Sequence, residues 1–224
     1  MKKLLFNCKK LQKIFLTDFD AEYAINMNTM FENCEQLCKI DLSDICMENV
    51  IYMESMFSNC VNLKEISLPD FSNVLTINRM LYNCKNLKEF EKGDYSLERC
   101  EYMTSMLEKC KCLRSCIMPL YYESNPKKLL NMNSMFAECE NLEQVNFEYP
   151  ICPKTIENMF YNCKKLKSIG DQVDLEYCES MLKVFSNCVS SEDILLNKVK
   201  YDINYDDIFY NCHNLLSVFS QLNI

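Results

Sequence analysis

Residues 53–68 read Met-Glu-Ser-Met-Phe-Ser-Asn-Cys-Val-Asn-Leu-Lys-Glu-Ile-Ser-Leu, and close copies of this stretch recur along the whole chain. Its cysteine, Cys60, is matched by Cys8, Cys34, Cys84, Cys110, Cys139, Cys163, Cys188 and Cys212, at successive spacings of 26, 26, 24, 26, 29, 24, 25 and 24 residues. Such self-similarity at a period between twenty and fifty residues marks a repeat protein. Three residues after the cysteine stands a leucine in eight of the nine copies, from Leu11 to Leu215, with Ser191 the exception. Three further on lies Ile14, Ile40, Ile66, Phe90, Cys116, Val145, Ile169, Ile194 or Val218, and two beyond that often another apolar residue such as Leu42 or Leu68. The closing two-residue step is the periodicity of a strand.

Upstream of the cysteine the apolar residues fall three, four and seven positions back: Met53, Met56 and Phe57 before Cys60, and Met103, Met106 and Leu107 before Cys110. Those intervals predict one face of a short helix. The residue before the cysteine is asparagine in seven copies, replaced by Lys109 and Glu138 in the others. Asparagine tolerates the left-handed conformation that commonly ends a helix. Each copy therefore reads as helix, tight turn, strand and connection. One copy cannot fold alone: burying roughly six apolar side chains at ~1.5–3 kcal/mol each does not offset ordering ~25 backbones at ~1–2 kcal/mol each. Stacking covers each apolar face with its neighbours, which predicts a single-domain α/β solenoid over residues 1–224 with parallel strands on a concave face and helices on a convex one.

The pattern Met-x-x-Met-Phe-x-Asn-Cys-x-x-Leu-x-x-Ile-x-Leu resembles leucine-rich repeats of the BspA-like class, including the version found in bacterial and protist surface proteins and mycoplasma-type lipoproteins. The resemblance covers nearly all of the chain and implies a leucine-rich-repeat solenoid of about nine repeats. It also implies a second functional reading, a surface-exposed or secreted adhesin. Two features depart from the family pattern. The chain has two glycines, Gly93 and Gly170, and residues 68–74, Leu-Pro-Asp-Phe-Ser-Asn-Val, are its nearest approach to the Asp-Thr-Ser-type segment that often follows the strand.

Composition narrows the function. A net charge of −8 disfavours nucleic acid, whose phosphates want a positive face. The basic start, Lys2, Lys3, Lys9, Lys10 and Lys13, reads as a solvated face. Of sixteen cysteines, nine belong to the repeat and read as reduced thiols in the core. The cluster Cys110, Cys112 and Cys116 lacks the paired spacings and histidine usual for zinc, and core packing is the simpler account. No metal or other cofactor is expected. Two glycines cannot supply a phosphate loop or dinucleotide fingerprint, and the sole histidine, His213, adjoins an inward-facing Cys212, so catalysis is not expected.

The apolar run after Met1 is too short for a signal peptide and no stretch is long enough to span a membrane as a helix. A cytoplasmic protein, or an internal piece of a longer one, is the expectation, with the cell surface as the alternative if the chain is a fragment. What remains is surface. Outward strand positions Lys39, Asp41, Glu65, Ser67, Glu89, Glu91, Gln144 and Asn146 are the candidate partner-binding residues, with Tyr121 and Tyr122 in the insertion at residues 119–126 as a second candidate anchor. The expected function is a protein-interaction scaffold holding a basic or polar polypeptide, or else a structural spacer within a larger protein. Truncated end repeats leave apolar ends exposed, which predicts either further repeats in a parent protein or end-to-end self-association.

Overall fold

The computed structural model describes the chain except for residues 17, 18, 71, 91–96, 119–129, 193, 195, 200–202, 205 and 216–224. Its short strands are β1 (Lys39–Asp41), β2 (Glu65–Ser67), β3 (Glu89–Phe90), β4 (Ser115–Met118), β5 (Leu130–Asn131), β6 (Gln144–Phe147) and β7 (Pro153–Thr155). Strands one repeat apart pair in parallel, as the periodicity predicts. Ile40 lies opposite Ile66, Phe90 opposite Cys116, and Cys116 opposite Val145. Alternation decides what each strand buries: Ile40 and Leu42 face the core while Lys39 and Asp41 are exposed. Cys116 fills the isoleucine position and is buried.

The predicted helix is absent from the described residues, and a run of tight turns takes its place. Met56 N–H donates to Met53 O, Ser58 N–H to Ser55 O and Cys60 N–H to Phe57 O, each a three-residue return. Ser55 and Asn59 have φ of 54° and 61°, left-handed conformations at an interval of four that a right-handed helix does not contain. The same pair of positions is left-handed at Thr29 and Asn33, Ser105 and Lys109, and Asn158 and Asn162. Turns repeating every four residues send side chains three, four and seven apart to one side, so their apolar pattern coincides with that of a helix. The backbone decides between them. Alternate amides, those of Met53, Ser55, Phe57 and Asn59, donate to Thr76, Asn78, Met80 and Tyr82 carbonyls of the next coil.

That bonding fixes the pitch. Packed helices sit about 8–10 Å apart, whereas hydrogen-bonded strands rise about 4.8 Å. The stacked turns advance at the strand spacing, and the rings of Phe31 and Phe57 lie 5.2 Å apart and 3° from parallel. The wider helical wall that would splay the coils and make the strand side concave is therefore missing among the described residues. A second parallel ladder, which the sequence did not announce, runs just before the turns: Asn26 bridges Tyr52, Tyr52 bridges Thr76, and Thr76 bridges Tyr102. It continues through the β5 and β7 pair. Between the walls lies one continuous core of methionine, leucine, phenylalanine and cysteine, with Met53, Met56, Phe57, Cys60 and Leu63 fully buried.

The cysteine column is a column of donors. Cys60 Sγ donates to Phe31 O at 3.2 Å, Cys84 Sγ to Phe57 O at 3.2 Å and Cys163 Sγ to Phe136 O at 3.1 Å. Each accepting carbonyl belongs to the preceding coil, so the thiol ties neighbours together while filling an apolar site. All sixteen cysteines are free, and burial pushes the thiol of Cys34 up to about 11 and those of Cys60 and Cys84 higher still. Ser191, the exception in the leucine column, is fully buried and donates its hydroxyl to Leu166 O at 2.9 Å.

Beside the thiols runs an amide column. Asn33 Nδ2 donates to Asn7 Oδ1 at 2.9 Å, Asn59 to Asn33 at 2.9 Å and Asn83 to Asn59 at 2.7 Å. Asparagine thus takes the left-handed conformation the sequence predicts and also bonds along the stack. Where it is replaced, Lys109 and Glu138 face each other at 3.6 Å, so a charge pair substitutes for the amide bond. At the first coil Met1 and Leu4 are exposed.

Candidate interaction surface

Strand alternation sets the surface. In register, Lys39 lies beside Glu65 and Asp41 beside Ser67, Glu89 beside Ser115, and Ser115 and Ile117 beside Gln144 and Asn146. Lys39, Asp41, Glu65, Ser67, Glu89 and Gln144 are exposed and Asn146 is half-buried. The structure thus arranges seven of the predicted residues on one strand wall, in two separate groups, β1 with β2 and β3 with β4 and β6. Glu91, Tyr121 and Tyr122 lie outside the described residues.

Charges on this wall are arranged across the coils. Lys39 Nζ donates to Glu65 Oε2 at 2.7 Å, which holds the Glu65 carboxyl below its ordinary value and raises the Lys39 ammonium. Asp41 accepts from the Ser43 hydroxyl at 2.7 Å and the Ser43 N–H at 3.1 Å, and those bonds keep its carboxylate ionised to lower pH. Glu143 pairs with Lys167 at 2.9 Å. These exposed pairs are screened by water and salt and contribute more to register than to stability.

Sequence reasoning missed the basic residues of the same wall. Lys64, Lys88 and Arg114 each follow the buried leucine of their copy and are exposed, and backbone bonds align their positions: Arg114 N–H donates to Lys88 O, and Lys64 N–H to Cys38 O. The legible signal was their fixed place after Leu63, Leu87 and Leu113. They give the centre of the wall both signs of charge, where the outward strand positions alone read as acidic.

The exposed His213 follows Cys212, whose thiol donates to Phe185 O at 2.8 Å. Burial raises that thiol's pKa, the opposite of what activates a cysteine nucleophile. Among the described residues no three cysteine, histidine or acidic side chains gather as a metal site. No helix among them is long and apolar enough to cross a membrane.

Residues 1–92 match the family described as "Mycoplasma protein of unknown function, DUF285", and residues 132–224 match "BspA type Leucine rich repeat region (6 copies)". No curated protein matches the chain. Among solved structures, a leucine-rich repeat protein of T. pallidum is similar at 13% identity, covering 88% of this chain and 74% of that one, with a TM-score of 0.48. A leucine-rich repeat protein from Bacteroides ovatus is 18% identical over 86% of this chain and 69% of its own, with a TM-score of 0.31. A leucine-rich cell surface protein from Faecalibacterium prausnitzii is 17% identical over 74% of this chain and 61% of its own, also at 0.31. The repeat pattern and the match over residues 132–224 agree on a leucine-rich repeat of the BspA type.

Proposed function

We propose that the protein is a non-catalytic interaction scaffold whose strand wall binds a polar polypeptide carrying basic residues. The observation that carries this reading is the set of exposed polar side chains held in register on paired parallel strands, where Ser67, Glu89 and Gln144 do no packing work. Rigid backbones at a strand spacing of about 4.8 Å present them at fixed intervals, so a partner meets a pre-organised surface. The BspA-type repeat matched over residues 132–224 supports an interaction role. Charge reversal at Glu65 and Glu89 tests the placement. Glu65→Lys with Glu89→Lys should abolish recovery of the partner in a pull-down while the fold, read by circular dichroism, stays intact. Unchanged recovery would remove the strand wall from the account.

Location belongs to the same proposal. Sixteen free cysteines, with Cys38 and Cys46 exposed, suit a reducing compartment, and we place the protein in the cytoplasm. An adhesin on the cell surface is the reading that fractionation of the native protein would establish instead.

A further inference from the structure

We propose that a cleft at the edge of the strand wall, between the first two coils, holds a lysine or arginine side chain of a bound polypeptide together with an apolar neighbour. The proposal rests on the reading of the strand wall as a polypeptide-binding face and names the chemistry it selects. The cleft has a volume of about 480 Å³ and is lined by Ile14, Phe15, Leu16, Phe19, Asp41, Asp44 and Ile45. That volume falls within the roughly 300–1,000 Å³ typical of small-ligand sites.

Its composition is divided. Ile14, Leu16, Phe19 and Ile45 form an apolar floor that is half-buried or buried, and Phe15 stands beside them 85% exposed. Phe15 precedes Asp41 by one repeat, so the solvated aromatic ring stands one coil before an outward strand residue and lines the same cleft as its carboxylate. Asp41 and Asp44 supply the charge. Lys39, the nearest cation on the strand, gives its ammonium to Glu65 at 2.7 Å, and neither aspartate forms an ion pair among the described residues. Asp41 Oδ1 is committed to Ser43, which orients the carboxylate and leaves Oδ2 for a ligand.

Two carboxylates above an apolar floor fit a group that is apolar along its stem and cationic at its tip. Lysine and arginine have that form, since their methylenes cover apolar surface while the charge remains at the rim. The ring of Phe15 can take a guanidinium against its face, and arginine can bond a carboxylate through two N–H groups. An acidic or purely apolar ligand would leave the aspartates repelled or unpaired.

The test uses a tetrapeptide probe, acetyl-Gly-Phe-Arg-Gly-amide, and its counterpart with citrulline, which keeps the shape of arginine without its charge. Titrated into the isotopically labelled full chain, the arginine peptide should shift the amide resonances of Phe15, Asp41, Asp44 and Ile45. Losing one charge-assisted contact should weaken binding by roughly tenfold or more, so the citrulline peptide and the Asp41→Asn, Asp44→Asn double variant should each show that loss. Phe15→Ala removes an exposed ring and should weaken binding with the fold unchanged. Equal affinity of the two peptides, indifference to the aspartate substitutions, or shifts confined to other coils would overturn the proposal. Glu89→Lys, which leaves the Lys39–Glu65 pair intact, should leave probe binding at the cleft in place. Probe binding that survives while partner capture ignores charge reversal at Glu65 and Glu89 would retain the cleft and discard the wider strand wall.

Discussion

At the scale of single residues, the repeated cysteine is chosen for two properties at once: it packs as a small apolar group and it donates a hydrogen bond that alanine or valine cannot. Cys60→Ala should cost about 1–3 kcal/mol, from the lost thiol contact and the small void it leaves, read as a shift in the urea midpoint. Phe31 O would still accept the Cys34 N–H, so no carbonyl is orphaned. The column also predicts a steep response to alkali. Cys60, Cys84, Cys110, Cys139, Cys163 and Cys188 all have thiols raised above the ordinary value of 9.0 by burial. A group whose folded pKa is raised stabilises fully below its unfolded pKa, and that stability drains away as pH rises toward the folded value. Stability therefore falls progressively as pH rises above 9, and Cys84→Val should make that fall shallower. A signal flat to higher pH, followed by circular dichroism under reducing conditions, would contradict a buried protonated column.

At the scale of elements, the wall of stacked turns holds the coils together by bonds between them, as the strands do. Asn59 sits at its hinge, left-handed at φ 61°, with its amide bonded to Asn33 on one side and Asn83 on the other. Asn59→Ala should lose both bonds and meet the left-handed penalty, together about 2–4 kcal/mol. Asn59→Gly relieves the backbone penalty and should cost less. Equal losses for the two would mean that backbone conformation does not matter at this position. The far-ultraviolet spectrum of the intact protein should lack the double minimum of a helical protein.

At the scale of the molecule, stability is a sum over neighbouring coils. The central coils are covered on both sides, with Met53, Cys60 and Leu63 fully buried, whereas Leu4 of the first coil is 56% exposed. Amide exchange should therefore be graded, fastest in residues 1–16 and slowest around residues 53–87, with local openings below the global limit. Uniform protection along the chain would show that the whole stack opens as one unit. Charge follows the same axis, because among the described residues most ion pairs join one coil to the next: Lys9 to Glu35 at 2.8 Å, and Glu140 between Lys111 at 2.6 Å and Lys164 at 3.0 Å.

The sequence by itself determined the repeat, the parallel pairing of strands one repeat apart and the buried cysteine and leucine columns, because a residue recurring at a fixed interval must meet its equivalent in the next coil. It also placed Lys39, Asp41, Glu65 and Glu89 outward, since strand alternation is a local rule. Only the tertiary structure decided that the methionine-rich segment is a series of turns: three-, four- and seven-residue spacings serve a helix and a run of four-residue turns equally. What separates them is whether alternate amides bond within the segment or to the next coil. The carbonyls that the thiols seek, the amide chain through Asn33, Asn59 and Asn83, and the meeting of Phe15 with Asp41 and Asp44 were hidden for the same reason. Each joins residues of different coils, and their approach depends on the pitch that those inter-coil bonds set.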